Sequence, residues 1–201
     1  MISAVILAAG ESKRMGEPKQ LLPWRGKTIL ETVIGNVASC SGVDDEIRVV
    51  LGARKKRIEP LVKDFKDPRV RAIENPDYRE EMLTSVRRGL EDLPDSTRGV
   101  MLVLGDQPLI SPEIFSTLVE EFIDERPYIL LPISSGERGH PLLLKRELVP
   151  EVNSLDGPGG LRKILEKYSD KVRELEVDDD RIHIDLDHYE EYKKYRKNSR
   201  D

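Results

Sequence analysis

The sequence predicts an α/β fold in which a mainly parallel sheet is covered by helices on both faces. Three observations predict it. Ser3 to Leu7 is a short apolar run that breaks into Ala8-Ala9-Gly10, the pattern of a strand buried on both faces entering a loop. Val100 to Leu104 is a second such run, ending at Gly105-Asp106. Around them, strand-like segments alternate with segments of helical period, as in repeated strand–helix–strand units. At 201 residues the chain is long enough for a substantial core and fits one domain spanning residues 1–201.

The first run is expected to be the central strand. Thr28 is placed to cap a helix reaching Ala38, with Glu31 completing a capping box and Leu30, Val33, Ile34 and Val37 on one face. Glu46 to Leu51 then reads as a strand, Lys55 to Phe65 as a helix, Val70 to Ile73 as a strand and Leu83 to Leu90 as a helix. Ser111-Pro112-Glu113 offers a favourable cap and a first-turn proline to the next helix, and Ile129 to Leu131 a further strand. The last third is less regular. It holds His140-Pro141-Leu142-Leu143-Leu144, a glycine-rich turn from Asp156 to Gly160, and the strand-like Ile182-His183-Ile184-Asp185-Leu186-Asp187. Residues 189–201 are strongly charged and are expected to form a solvated terminal helix that frays.

Composition excludes several roles. With 33 Lys and Arg against 38 Asp and Glu, the net charge of -5 lacks the broad positive field of a nucleic-acid-binding protein. Cys40, the single cysteine, excludes an internal disulfide and any multi-cysteine metal site, as expected of a reduced compartment, and reads as a buried or half-buried small side chain. The opening segment has no basic lead, and Gly10 and Glu11 interrupt its apolar run, so neither export nor a membrane anchor is expected. A cytoplasmic protein is the expectation.

Chemistry concentrates in a few places. The run Ala8-Ala9-Gly10-Glu11-Ser12-Lys13-Arg14-Met15-Gly16-Glu17-Pro18-Lys19 sets small residues beside cations. Backbone N–H groups there can approach phosphate oxygens, with Arg14 as a fork and Lys19 as a point charge. An ordinary glycine turn with solvated basic residues fits the composition equally well. The loop lacks the three glycines of a dinucleotide fingerprint, and Gly26-Lys27-Thr28 imitates only the end of a P-loop, so it reads as a turn before a helix. Trp24 reads as a packing residue beside the loop.

Asp106 ends an apolar strand, where ligands gather, and suits a hard divalent cation. An aspartate in a turn, or capping the following helix, is the alternative. Asp185 and Asp187 would share one side of a strand and could bring a second carboxylate to the same ion, although acidic residues abound nearby. His140, His183 and His188 are too scattered for a zinc site. His140 could line a pocket, and His183 reads as pointing outward from a strand.

Taken together these residues resemble a known family. Leu7-Ala8-Ala9-Gly10-x-Ser12-x-Arg14-Met15-Gly16-x-Pro18-Lys19-x-Leu21-Leu22-Pro23 resembles the signature of the MobA-like nucleotidyltransferases, particularly the molybdenum cofactor cytidylyltransferase branch. Asn75-Pro76-Asp77-Tyr78 with Met82 and Ser85, Gly105-Asp106-Gln107-Pro108, Arg138-Gly139-His140-Pro141, and Ile184-Asp185-Leu186-Asp187 resemble further family blocks in the family's order.

The resemblance implies a three-layer Rossmann-like fold of the nucleotide-diphospho-sugar transferase type. It implies transfer of a nucleoside monophosphate to a phosphorylated acceptor, with pyrophosphate leaving and Mg2+ as cofactor. Arg14, Lys19 and Asp106 would be the catalytic residues. Leu7, Ala8, Ala9, Gly10, Asn75 and Ser85 would join them in holding the nucleotide. Gln107, Pro108 and His140 would meet the acceptor, and Asp106 with Asp187 would hold the metal. Ala9 stands where the guanylyl-transferring branch has glycine, which implies CTP as donor. Molybdopterin is then the implied acceptor, and molybdoenzymes or their chaperones are implied contacts. A sugar phosphate or phospho-alcohol as acceptor, or a non-catalytic nucleotide sensor or maturation partner, are the alternatives. The chain departs from the family pattern at Glu81, in place of glycine, in the loosely matched Asp156-Gly157-Pro158-Gly159-Gly160-Leu161-Arg162, and at His188 and Tyr189, in place of threonine and proline.

Overall fold

The computed structural model describes residues 1–12 and 15–197. β1 (Ile2–Ala8) leads to a small hairpin, β2 (Pro23–Trp24) and β3 (Lys27–Thr28), and then to α1 (Ile29–Ala38). β4 (Val43–Leu51), α2 (Lys55–Lys63), β5 (Val70–Glu74), α3 (Met82–Leu90), β6 (Gly99–Leu104) and α4 (Pro112–Glu125) continue the alternation. β7 (Ile129–Ser134), β8 (Glu137–Arg138), β9 (Leu142–Lys145), α5 (Val149–Ser154), α6 (Arg162–Lys167), β10 (Val172–Glu176) and α7 (Tyr189–Lys197) follow.

The main sheet runs in the order β10-β7-β9-β6-β1-β4-β5, with β8 beside β7. β1 pairs in parallel with both β4 and β6, which places it inside the sheet as expected, while β9 is antiparallel to β6 and β7. Strand alternation sends side chains to two opposite cores. Ala4 and Ile6 pack with Leu30 and Ile34 of α1, Ile58 of α2 and Phe115 of α4, whereas Val5 packs with Val86 and Leu90 of α3 and Val152 of α5. Helices on both faces of a mostly parallel sheet make the α/β, Rossmann-like architecture that the sequence predicts.

α1 forms as its sequence dictates. The backbone N–H of Glu31 donates to Thr28 Oγ1 at 3.2 Å, and the Thr28 N–H donates to Glu31 Oε2 at 2.7 Å, so two N-terminal donors without helical partners are satisfied reciprocally. Thr28→Ala is expected to cost about 1 kcal/mol. A urea titration should show a lower midpoint with an unchanged slope. The hairpin before it turns through Arg25 and Gly26 with φ of 46° and 76°, the positive-φ pair that suits a two-residue turn.

Several local expectations are corrected. Ile182 to Asp187 is not a strand. The Asp179 side chain accepts the Arg181 N–H and draws Asp180–His183 into a 3-10 turn, after which the chain runs irregularly. Ile182 and Leu186 are buried there, four apart rather than alternating, and the segment has no sheet neighbour. His183 therefore does not project from a strand; its Nε2 lies 3.0 Å from the Glu137 carbonyl. The terminal helix forms as expected and is mostly exposed, but one side of it is anchored, and the fraying expected toward residue 201 falls on residues 198–201, outside the described residues. Tyr192 is buried with Trp24, Ile29, Leu109 and Leu186, and its hydroxyl donates to the Pro23 carbonyl at 2.8 Å. Ser111 occupies the cap position of α4, but its side chain makes no cap hydrogen bond. β10 was not foreseen because it is an edge strand in which charged Arg173, Glu174 and Glu176 outnumber its two apolar residues, Val172 and Leu175, and no alternation marks it.

Candidate active site

β1 and β6 are adjacent parallel strands whose chains continue toward opposite edges of the sheet, β1 to β4 and β6 to β7, and their carboxyl ends open the crevice where α/β sheets take ligands. Ala8 to Gly10 leave β1 there, and Gly105-Asp106 leave β6. Gly105 is required by closeness: its N–H donates to the Leu7 carbonyl at 3.0 Å, and a Cβ would fall 2.9 Å from that oxygen.

The loop after β1 is braced from within. The Lys19 N–H donates to Ser12 Oγ at 3.1 Å, while Gln20, almost fully buried, donates from Nε2 to the carbonyls of Ala8 at 3.2 Å and Gly10 at 3.4 Å. That bracing delivers the Lys19 ammonium to Asp106 and, at 2.5 Å, to Asp187. Residues 87 and 168 positions away in sequence thus converge on one cation. Burial alone would lower the Lys19 pKa, but the charge of Asp106 and the hydrogen bonds to both carboxylates outweigh it and hold the ammonium above its ordinary range. The Leu186 N–H donates to the Asp106 carbonyl at 3.2 Å and fixes the strand end to the C-terminal segment.

A cavity of about 320 Å³ opens here. Leu7, Ala9, Gly10, Leu104 and Gly105 contribute from the strand ends, Tyr78, Met82 and Ser85 from the side of α3, and Lys19, Gln20, Asp106, Asp185 and Asp187 supply the polar groups. A larger cavity of about 970 Å³ lies beside Met1, Arg98 and Arg146, at the opposite ends of β1 and β6, and holds none of the expected site residues. The Asp185 carboxyl is pushed up to about 6, first by burial and then by the charge of Asp106, with the Gln107 amide working against the rise.

Leu7, Ala9, Gly10, Lys19, Ser85, Asp106 and Asp187 are therefore brought together as expected. Others stand elsewhere. Ala8 is buried and contributes its carbonyl to Gln20. Asn75 is buried behind the cavity and donates to the hydroxyls of Thr84 at 3.0 Å and Ser85 at 2.9 Å. Gln107 and Pro108, expected to meet an acceptor, are buried and do not line the cavity. His140 is largely buried with an unpartnered Nδ1, and burial lowers its pKa despite the opposing charge of Asp106. Arg14 lies outside the described residues. Gln20 joins the site without having been singled out for it, while Tyr78, named only within the Asn75 block, and Asp185, weighed beside Asp187 as a carboxylate for the ion, also line the cavity. Gln20 carried no signal of its own.

Among the described residues no three His, Cys, Asp or Glu side chains form a ready-made metal cage. Asp106 and Asp187 converging on one ammonium nevertheless form a sparse, hard oxygen donor set. It fits a divalent cation that takes one or two protein carboxylates and completes its shell with water and phosphate oxygens.

Relatives share this arrangement of chain. The molybdenum cofactor cytidylyltransferase of Escherichia coli (strain K12) is 30% identical over 180 residues, 88% of either chain. The nicotine blue oxidoreductase of Paenarthrobacter nicotinovorans is 30% identical over 203 residues, 94% of either chain. The crystal structure of Rv0371c from Mycobacterium tuberculosis H37Rv superposes with a TM-score of 0.83 at 28% identity over 98% of both chains, and that protein is also known in complex with manganese. The MobA-like NTP transferase domain matches residues 4–172, the span from β1 to the start of β10 that carries the loop, Lys19 and Asp106. With that match over most of its length, the chain belongs to the MobA-like NTP transferase family.

Proposed function

We propose that the protein transfers CMP from CTP to a phosphorylated acceptor of the molybdopterin type, with Mg2+ as cofactor and release of pyrophosphate. The observation that carries this reading is the convergence of Lys19, Asp106 and Asp187 beside Ala9 in one cavity at the ends of β1 and β6. Ala9 is 5% exposed and lines that cavity, so its methyl narrows the space next to the loop and favours a pyrimidine over a purine. A relative 30% identical over 88% of either chain is a molybdenum cofactor cytidylyltransferase, which supports both donor and acceptor.

Asp106 and Asp187 would hold the cation, which supplies charge neutralisation and polarisation at the α-phosphate when bound. Lys19 would neutralise the departing pyrophosphate, and the braced loop would set the triphosphate for in-line attack. The attacking acceptor phosphate is already ionised, so no strong general base is needed. A CTP substrate supports a cytoplasmic location, in reach of molybdoenzymes or their chaperones.

The test is pyrophosphate release with Mg2+, each of the four nucleoside triphosphates, and molybdopterin, a sugar phosphate or a phospho-alcohol. Release with CTP and molybdopterin alone is expected. Release with a sugar phosphate instead would replace the acceptor, and triphosphate binding without release under all conditions would make the protein a sensor.

A further inference from the structure

Gln107 follows Asp106 directly but is 1% exposed and turned away from the cavity. Its Nε2 donates to the Asp185 carboxylate at 2.6 Å and to the Ile182 carbonyl at 3.4 Å, while its Oε1 is buried without a hydrogen-bond partner. A buried acceptor left unpaired is unfavourable, and leucine would fill the same space without it. The amide is therefore explained by its donor side. Asp185 lies in the irregular stretch after the 3-10 turn, where no strand pairing orients its side chain, yet it lines the same cavity as Lys19, Asp106 and Asp187.

We propose that Gln107 is a positioning residue: its buried amide holds the Asp185 carboxylate toward the water shell of the divalent cation that Asp106 and Asp187 take. This rests on the proposed function, which puts that cation in this cavity. Magnesium and manganese retain several waters when few protein ligands hold them, and a fixed carboxylate beside the shell accepts hydrogen bonds from those waters. Removing an outer partner of a metal site typically costs about 10- to 100-fold in metal affinity. The amide also sits on the residue next to one ligand and bonds a residue two before the other, so it keeps the two halves of the cation site in register.

The experiment is Mn2+ binding, in the presence of CTP, by Q107L, D185N and the double variant, read from the paramagnetic resonance of free Mn2+. Each single variant is expected to weaken Mn2+ by about 10- to 100-fold, and the double variant by no more than the weaker single. Thermal midpoints and CTP affinity in chelator should stay close to wild type, which a merely structural strut would not allow. A folded Q107L with wild-type Mn2+ affinity overturns the proposal, as does a double variant whose loss is the product of both. If Q107L fails to fold, D185N decides alone: wild-type affinity there is fatal. Equal Mn2+ binding by wild type and D106N would instead overturn the cation site itself.

Discussion

Asp106→Asn is expected to reduce kcat/KM for CTP by roughly 10³-fold, the rate equivalent of the several kcal/mol that a well-placed divalent cation contributes. Asparagine keeps the shape and removes the charge. The backbone ties around it, from the Gly105 N–H to Leu7 and from the Leu186 N–H to the Asp106 carbonyl, do not involve the side chain, so the fold should persist. Circular dichroism unchanged from wild type, with Mn2+ affinity reduced alongside activity, would be the full signature. Retention of more than about a tenth of the wild-type rate would remove Asp106 from the metal site, since a ligand of this kind carries more than one factor of ten.

Lys19→Met should lower kcat/KM by roughly 10²-fold, the scale seen when one preorganised charge or donor is removed from a developing anion. A second consequence separates this residue from a merely structural lysine. The Lys19 ammonium is bonded to both Asp106 and Asp187, whose carboxylates a cation would need. Methionine leaves the two carboxylates without that counter-charge. Lys19→Met is therefore expected to bind Mn2+ more tightly than wild type when CTP is absent, while losing most of the gain that CTP brings to wild type. Arginine should not restore the rate, because its planar fork does not reproduce a compact ammonium between two carboxylates. Unchanged Mn2+ affinity in chelator-treated, nucleotide-free Lys19→Met would show that the ammonium does not compete with the cation.

Much of the framework was legible in the residues because it depends on local pattern. β1 and β6 are apolar on both faces, which only a sheet interior covered by helices accepts, and α1 announces itself through a capping box and four apolar residues at helical spacing. The loop signature and the aspartate after β6 were equally local. β10 is not legible because an edge strand is half exposed, and the segment around Asp185 has the apolar alternation of a strand but no sheet neighbour to pair with. Whether a segment becomes a strand depends on what lies beside it.

What the sequence by itself determined is therefore the α/β class, the order of most elements, and the chemical kinds of group available: a small-residue loop, a lysine, and aspartates after apolar runs. Tertiary structure decided which of them meet. Lys19, Asp106 and Asp187 are brought onto one point by strand order and by α7, whose Tyr192 anchors the C-terminal segment against Trp24. Gln107 was turned from a surface contact into a buried tie on Asp185 by the same packing. The physical reason is that periodicity and propensity act over a few residues, whereas a charge cluster is set by distances between segments that only the packed core brings together.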